Sequence, residues 1–104
     1  MGTAAMKMAW LVCNTFVIDH LRQCLKECNI DYFTSWDNVK GKGHGTEPHL
    51  GAGAYGSTNT VTMIAFEDEA ALQALIGSIK QANLAIPRAA DHIRLFQVPL
   101  DQII

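Results

Sequence analysis

Residues 8–14 are apolar at almost every position, with Met8, Ala9, Trp10, Leu11, Val12 and Cys13 in one run. A strand that shows one face to water alternates, so this run predicts a strand buried on two sides, or on one side plus an interface. The period then changes. Over residues 17–28, Ile18, Leu21, Leu25 and Cys28 recur at three- and four-residue steps, while Asp19, Arg22, Lys26 and Glu27 fill the opposite side. This predicts an amphipathic helix with Thr15 as its N-cap and Asn29 as its stop. Residues 31–39, carrying Tyr32, Phe33, Thr34 and Trp36, predict a second strand through their β-branched and aromatic side chains. A third strand follows at 60–66. A second helix is expected over 68–82, built on Leu72, Leu75, Ile76 and Ile79, with Glu67, Asp68 and Glu69 at the end where the helix dipole favours negative charge. After a turn containing Pro87, residues 93–98 read as a fourth strand.

The order β-α-β-β-α-β predicts an α+β, ferredoxin-like fold, an antiparallel sheet with both helices on one face. Two helices on one side cannot also cover the other. Side chains alternate along a strand, so Trp10, Val12, Tyr32 or Phe33, Val61, Met63 and Leu95 cannot all lie beneath the helices. Self-association with sheets facing one another would cover the remainder. Between residues 41 and 59 both periods vanish, and Gly41, Gly43, Gly45, Gly51, Gly53 and Gly56 gather with Pro48, Ser57 and Thr58. A loop of that length in so short a chain points to its working part.

With 104 residues the chain is read as a single domain, 1–104, in which residues 1–5 look like a remnant of cloning ahead of a start at Met6. Hydrophobic residues make up 49% and charged ones only 17%, below the usual globular share of about 25%, which again reserves apolar surface for an interface. The formal charge is -2 and no basic run is interleaved with aromatics, so nucleic acid is excluded as a partner. No apolar stretch reaches the roughly eighteen residues of a membrane span and no signal sequence is evident, so membrane insertion is not expected and a cytoplasmic location is. Three cysteines are an odd number. Cys13 sits in an apolar run and Cys24 and Cys28 share a helical face, where they read as small apolar fillers, so no disulfide framework is expected. No Ser-His-Asp or Cys-His order and no P-loop occurs, and the acids at 67–69 are explained by a helix start, so the chain is not expected to be an enzyme.

The residues resemble the PII signal-transduction family, the nitrogen regulatory PII-like proteins. The stretch from Thr15 to Ile30 is similar to the family's first helix, a Pro-Phe-Lys-Leu-Asp-Asp-Val-Arg-Glu-Ala-Leu type segment, without a gap. Val39-Lys40-Gly41-Lys42-Gly43 resembles the Val-Lys-Gly-Phe-Gly that opens the family's T-loop, and Gly51-Ala52-Gly53-Ala54-Tyr55 is similar to the Gly-Ala-x-Tyr near that loop's tip. The likeness runs from about Met8 to about Pro99. It implies a homotrimer whose sheets pack inward, with Trp10, Val12, Val61 or Met63 among the buried residues and residues 41–59 as the T-loop. It also implies a sensor that binds an effector between neighbouring subunits and regulates a partner protein, a transporter or an enzyme, in nitrogen regulation.

The departures are specific. Where nucleotide-binding members have a Thr-Gly-x-x-Gly-Asp-Gly-Lys-Ile-Phe type loop, this chain has Ala85-Ile86-Pro87-Arg88-Ala89-Ala90-Asp91-His92-Ile93-Arg94. Every glycine is gone, Pro87 removes an amide donor, His92 stands where the lysine would be, and the paired arginines after the last strand are missing. The resemblance is therefore to a divergent PII-like protein, and the effector is an adenine nucleotide or another anion.

On that reading Lys40, Gly41, Lys42 and Gly43 at the loop base, with Arg88, His92 and Arg94, form the effector site. By spacing alone the lysines and glycines read as a flexible loop base with solvated lysines, and Arg88 and Arg94 equally as surface charges. His44, Glu47 and His49 fall within six residues and have the chemistry of a divalent transition-metal site, or simply face water. The metal reading is the alternative function, a trimeric divalent-metal-binding protein resembling the CutA-type relatives of the same fold. Tyr55 is a candidate modification site by the resemblance.

Overall fold

The computed structural model describes residues 6–42 and 58–104. Strand β1 (Lys7–Asn14) leads through a short 3-10 turn (Thr15–Val17) into helix α1 (Ile18–Glu27), followed by β2 (Thr34–Val39), β3 (Asn59–Phe66), helix α2 (Glu69–Leu84), a second 3-10 turn (Ala89–Asp91) and β4 (Arg94–Pro99). The strands form one antiparallel sheet in the order β2-β3-β1-β4. This is the ferredoxin-like arrangement expected from the pattern, since each βαβ half places its second strand beyond the neighbour contributed by the other half.

The core lies between the sheet and the two helices. Ala9, Leu11 and Cys13 on β1 and Ile64 and Phe66 on β3 are buried beneath Leu21, Cys24 and Leu25 of α1 and Leu72, Leu75 and Ile79 of α2. Strict alternation on β3 places Thr60, Thr62, Ile64 and Phe66 on the covered face and leaves Val61, Met63 and Ala65 half-buried on the other. The register pairs Trp10 with Met63 and Phe96, and Val12 with Val61 and Arg94, so these residues share the face that neither helix touches. Trp10 and Trp36 stack there, ring centroids 6.3 Å apart with planes 19° from parallel.

Several local expectations are corrected. Leu95 pairs with Leu11 and packs against the core, so it belongs under the helices and not on the open face. The cap at the start of the first helical segment is Asn14, whose Oδ1 accepts a hydrogen bond from the Phe16 amide at 3.0 Å, because the chain turns one residue earlier than the apolar period suggests. Thr15 instead bonds across to the residue before β3, its hydroxyl 3.2 Å from that of Thr58. Asn29 does end α1. It adopts φ 55°, and the Ile30 amide reaches back to the Leu25 carbonyl at 2.9 Å while buried Ile30 closes the turn. β2 starts at Thr34, since Tyr32 turns its ring edge-on to Phe66, 6.1 Å away, rather than entering the ladder.

Candidate functional site

Three segments converge where β1 and β3 begin or end and β2 leaves the sheet. β1 ends at Asn14 opposite Asn59, the start of β3. β2 carries an irregularity between Trp36 and Val39, with Asn38 at φ 58°, which redirects the chain toward Lys40, Gly41 and Lys42. The third segment is the 3-10 turn and its exit into β4, which bring His92 and Arg94. Together they enclose a cleft of about 340 Å³ whose lining includes Lys40, Gly41, Lys42, His92 and Arg94 on an otherwise mostly apolar floor of Val12, Val39, Val61 and Phe96. Residues about fifty positions apart in the sequence thus meet only because β4 lies beside β1.

Each part of the cleft has an identifiable support. Asn14 is buried. Besides capping Phe16 it donates its Nδ2 to Asp91 Oδ1 at 3.0 Å, tying the turn before β4 to the end of β1. His92 is held by a 2.9 Å hydrogen bond between its Nε2 and the Ile86 carbonyl. Asn83 at the end of α2 bonds both the amide and the carbonyl of Ile93, at 2.8 and 3.0 Å, and so fixes where β4 starts. At the loop base, Thr58 donates to Asn38 Oδ1 at 3.2 Å and Thr60 to Asp37 Oδ1 at 3.4 Å, pinning the ends of β2 and β3 together. Gly41 lies close against β3: a Cβ there would stand 2.8 Å from Nδ2 of Asn59, whose side-chain end would have to move aside.

Of the residues singled out from the sequence, Lys40, Gly41, Lys42, His92 and Arg94 are thus brought to one cleft. Arg88 is not among the lining residues; its Nε lies 3.8 Å from Asp91 Oδ2. Gly43, His44, Glu47, His49 and Tyr55 lie outside the described residues. Among the described residues no group of three or more His, Cys, Asp or Glu side chains is placed to hold a metal ion. Sequence reasoning missed Asn14, Asn59 and Phe96. Their only signal is register, because an asparagine at a strand end looks like punctuation until its partner 77 positions away is known. Cys13 borders the cleft, and burial pushes its thiol up to about 11, which leaves it protonated and unreactive at neutral pH. Among the described residues no helix is long and apolar enough to cross a membrane.

No family model matches the chain, and no curated protein sequence matches it significantly. Its fold is nevertheless found among solved structures. The chain is similar to CPII bound to ADP and bicarbonate, from Thiomonas intermedia K12, with a TM-score of 0.66 and 11% identity over 97% of this chain and 93% of that one. It is also similar to CPII described as a nitrogen regulatory PII-like protein from Thiomonas intermedia K12, bound to ADP, AMP and bicarbonate, with a TM-score of 0.59 and 12% identity over 99% of this chain and 100% of that one. The fold is therefore that of the PII-like proteins.

Proposed function

We propose that the protein is a PII-like effector-binding regulator: a homotrimer that takes a small anionic effector in the cleft at the base of residues 41–59 and passes its occupancy to a partner protein through that loop. The observation that carries this reading is the convergence of Lys40 and Lys42 from the loop base with His92 and Arg94 from the far end of the chain, around a mostly apolar cavity. Cations on low-dielectric walls concentrate an anion, and a ligand touching the loop base biases the loop by differential affinity. The likeness to CPII supports both the effector class, since that protein is described with ADP and bicarbonate, and a link to nitrogen regulation. In the trimer the open sheet faces pack together, which removes Trp10, Met63 and Phe96 from water.

Calorimetric titration of ADP, ATP and bicarbonate into the full chain, with Lys42→Ala beside it, tests the reading. The expected result is saturable heat with at least one of these anions, weakened by the substitution. Binding of none of them contradicts it.

A further inference from the structure

A second cavity, of about 220 Å³, opens between α1 and β2 on the helix side of the sheet, and among the described residues it shares none with the cleft above. The irregularity after Trp36 separates the two. Asp37 stays with Ser35 on the helix side, whereas Val39 lines the cleft on the other. Helix α1 packs beside α2, which leaves the gap toward the edge strand β2.

The base of this cavity is polar where a core would be aliphatic. Thr60 and Thr62 are each 1% exposed on the covered face, and each bonds a β2 side chain that borders the gap. Thr60 donates to Asp37 Oδ1 at 3.4 Å, and the hydroxyls of Thr62 and Ser35 lie 2.9 Å apart. Asp37 and Ser35 are themselves exposed, so the two buried threonines hold the two groups that a ligand would meet. Among the described residues Asp37 has no cation within ion-pair distance.

The facing wall comes from α1. Ile18, Arg22 and Leu25 recur at steps of four and three and form one stripe along the gap. Because α1 begins where β1 ends, beside Thr60, Ile18 stands at the Asp37 end, Arg22 follows, and Leu25 lies at the other end with Phe33. Arg22 Nη1 is 3.4 Å from Asp19 Oδ1, an exposed pair that engages one nitrogen and leaves the other donors of the guanidinium. A carboxylate on one wall and a guanidinium on the other call for a ligand that carries both signs. A simple anion would meet Asp37, and a simple amine would meet Arg22. The volume lies below the roughly 300 to 1,000 Å³ of sites for drug-sized ligands, which sets the size.

We infer that this cavity binds a free α-amino acid with an apolar side chain of about leucine's size, its ammonium on Asp37, its carboxylate on Arg22 and its side chain toward Leu25 and Phe33.

Calorimetry at neutral pH on the full chain tests this with L-leucine, set against isoamylamine, which lacks the carboxylate, isocaproate, which lacks the ammonium, and glycine, which lacks the apolar body. Leucine is expected to saturate, with each of the other three at least about fivefold weaker, the effect of one modest ion pair or of the lost apolar contact. Asp37→Asn and Arg22→Gln should each weaken leucine by at least about fivefold, while Lys80→Gln on α2, outside the cavity, leaves it unchanged. If Asp37→Asn does not fold, as judged by circular dichroism, Arg22→Gln at its exposed position carries the same comparison. Isoamylamine or isocaproate binding as tightly as leucine overturns the two-charge recognition, and glycine doing so overturns the apolar end. Leucine binding that neither Asp37→Asn nor Arg22→Gln weakens overturns the site, and the absence of saturable leucine binding overturns the inference as a whole.

Discussion

The two faces of the sheet are almost equally apolar and are treated in opposite ways. Beneath the helices, Leu11, Ile64 and Phe66 are at most 1% exposed. On the other face Trp10, Trp36 and Phe96 remain 36%, 45% and 57% exposed, although they are the larger side chains. The chain thus places three of its bulkiest aromatics where the subunit alone cannot bury them. A monomer adapted to water would put polar residues there, and β3 carries Val61, Met63 and Ala65 instead. The covered face holds the subunit together. In the proposed trimer the open face supplies the free energy of association, at about 1.5 to 3 kcal/mol for each large side chain fully removed from water.

Substitutions on the two faces should therefore fail differently. Met63→Asp puts a charge at the centre of the open face, opposite Trp10 on one side and Thr34 on the other. We expect it to abolish association while circular dichroism still reports helix and sheet. A fully assembled Met63→Asp protein would erase the distinction between the faces. Phe66→Ala on the covered face should do the reverse, lowering the stability of the subunit itself by about 3 to 5 kcal/mol in urea unfolding, because the hole cannot be filled by neighbours already in contact.

A smaller effect comes from Cys13, also on the covered face. Burial raises its thiol from 9.0 to about 11. The unfolded chain releases that proton near pH 9 and the folded chain holds it until about 11, so the stabilisation is complete below pH 9 and falls across that window. The loss is on the order of 2 to 3 kcal/mol. Urea unfolding between pH 8 and 11 should show this decline, and Cys13→Ala should flatten it. An unchanged slope in the variant would assign the decline to other groups, such as Tyr32, whose hydroxyl is raised by partial burial and by nearby Asp68.

Most of the fold was legible in the sequence, and for an identifiable reason. Helical periods in residues 18–27 and 69–84 and apolar runs in β1 and β3 are local signals, so element order followed from them. The uncovered face was legible too, because alternation and the number of helices are enough to deduce it. Leu95 was misplaced since its face depends on pairing with Leu11, which no local pattern encodes. Asn14 was missed for the same reason at longer range. One buried side chain caps a turn beside it and fixes Asp91 far along the chain, and only the β1-β4 pairing makes both possible. Lys40, Lys42, His92 and Arg94 were proposed together through a family resemblance, whereas what joins them physically is that same pairing.

The proposed assembly depends most heavily on the open face being closed by further copies of this chain. Light scattering coupled to size exclusion, in dilute buffer across micromolar concentrations, tests it directly. A mass near three times the 11.4 kDa of one chain, independent of concentration, is the predicted result. A mass of 11.4 kDa throughout would mean that Trp10, Trp36 and Phe96 stay in water, and it would contradict the trimer.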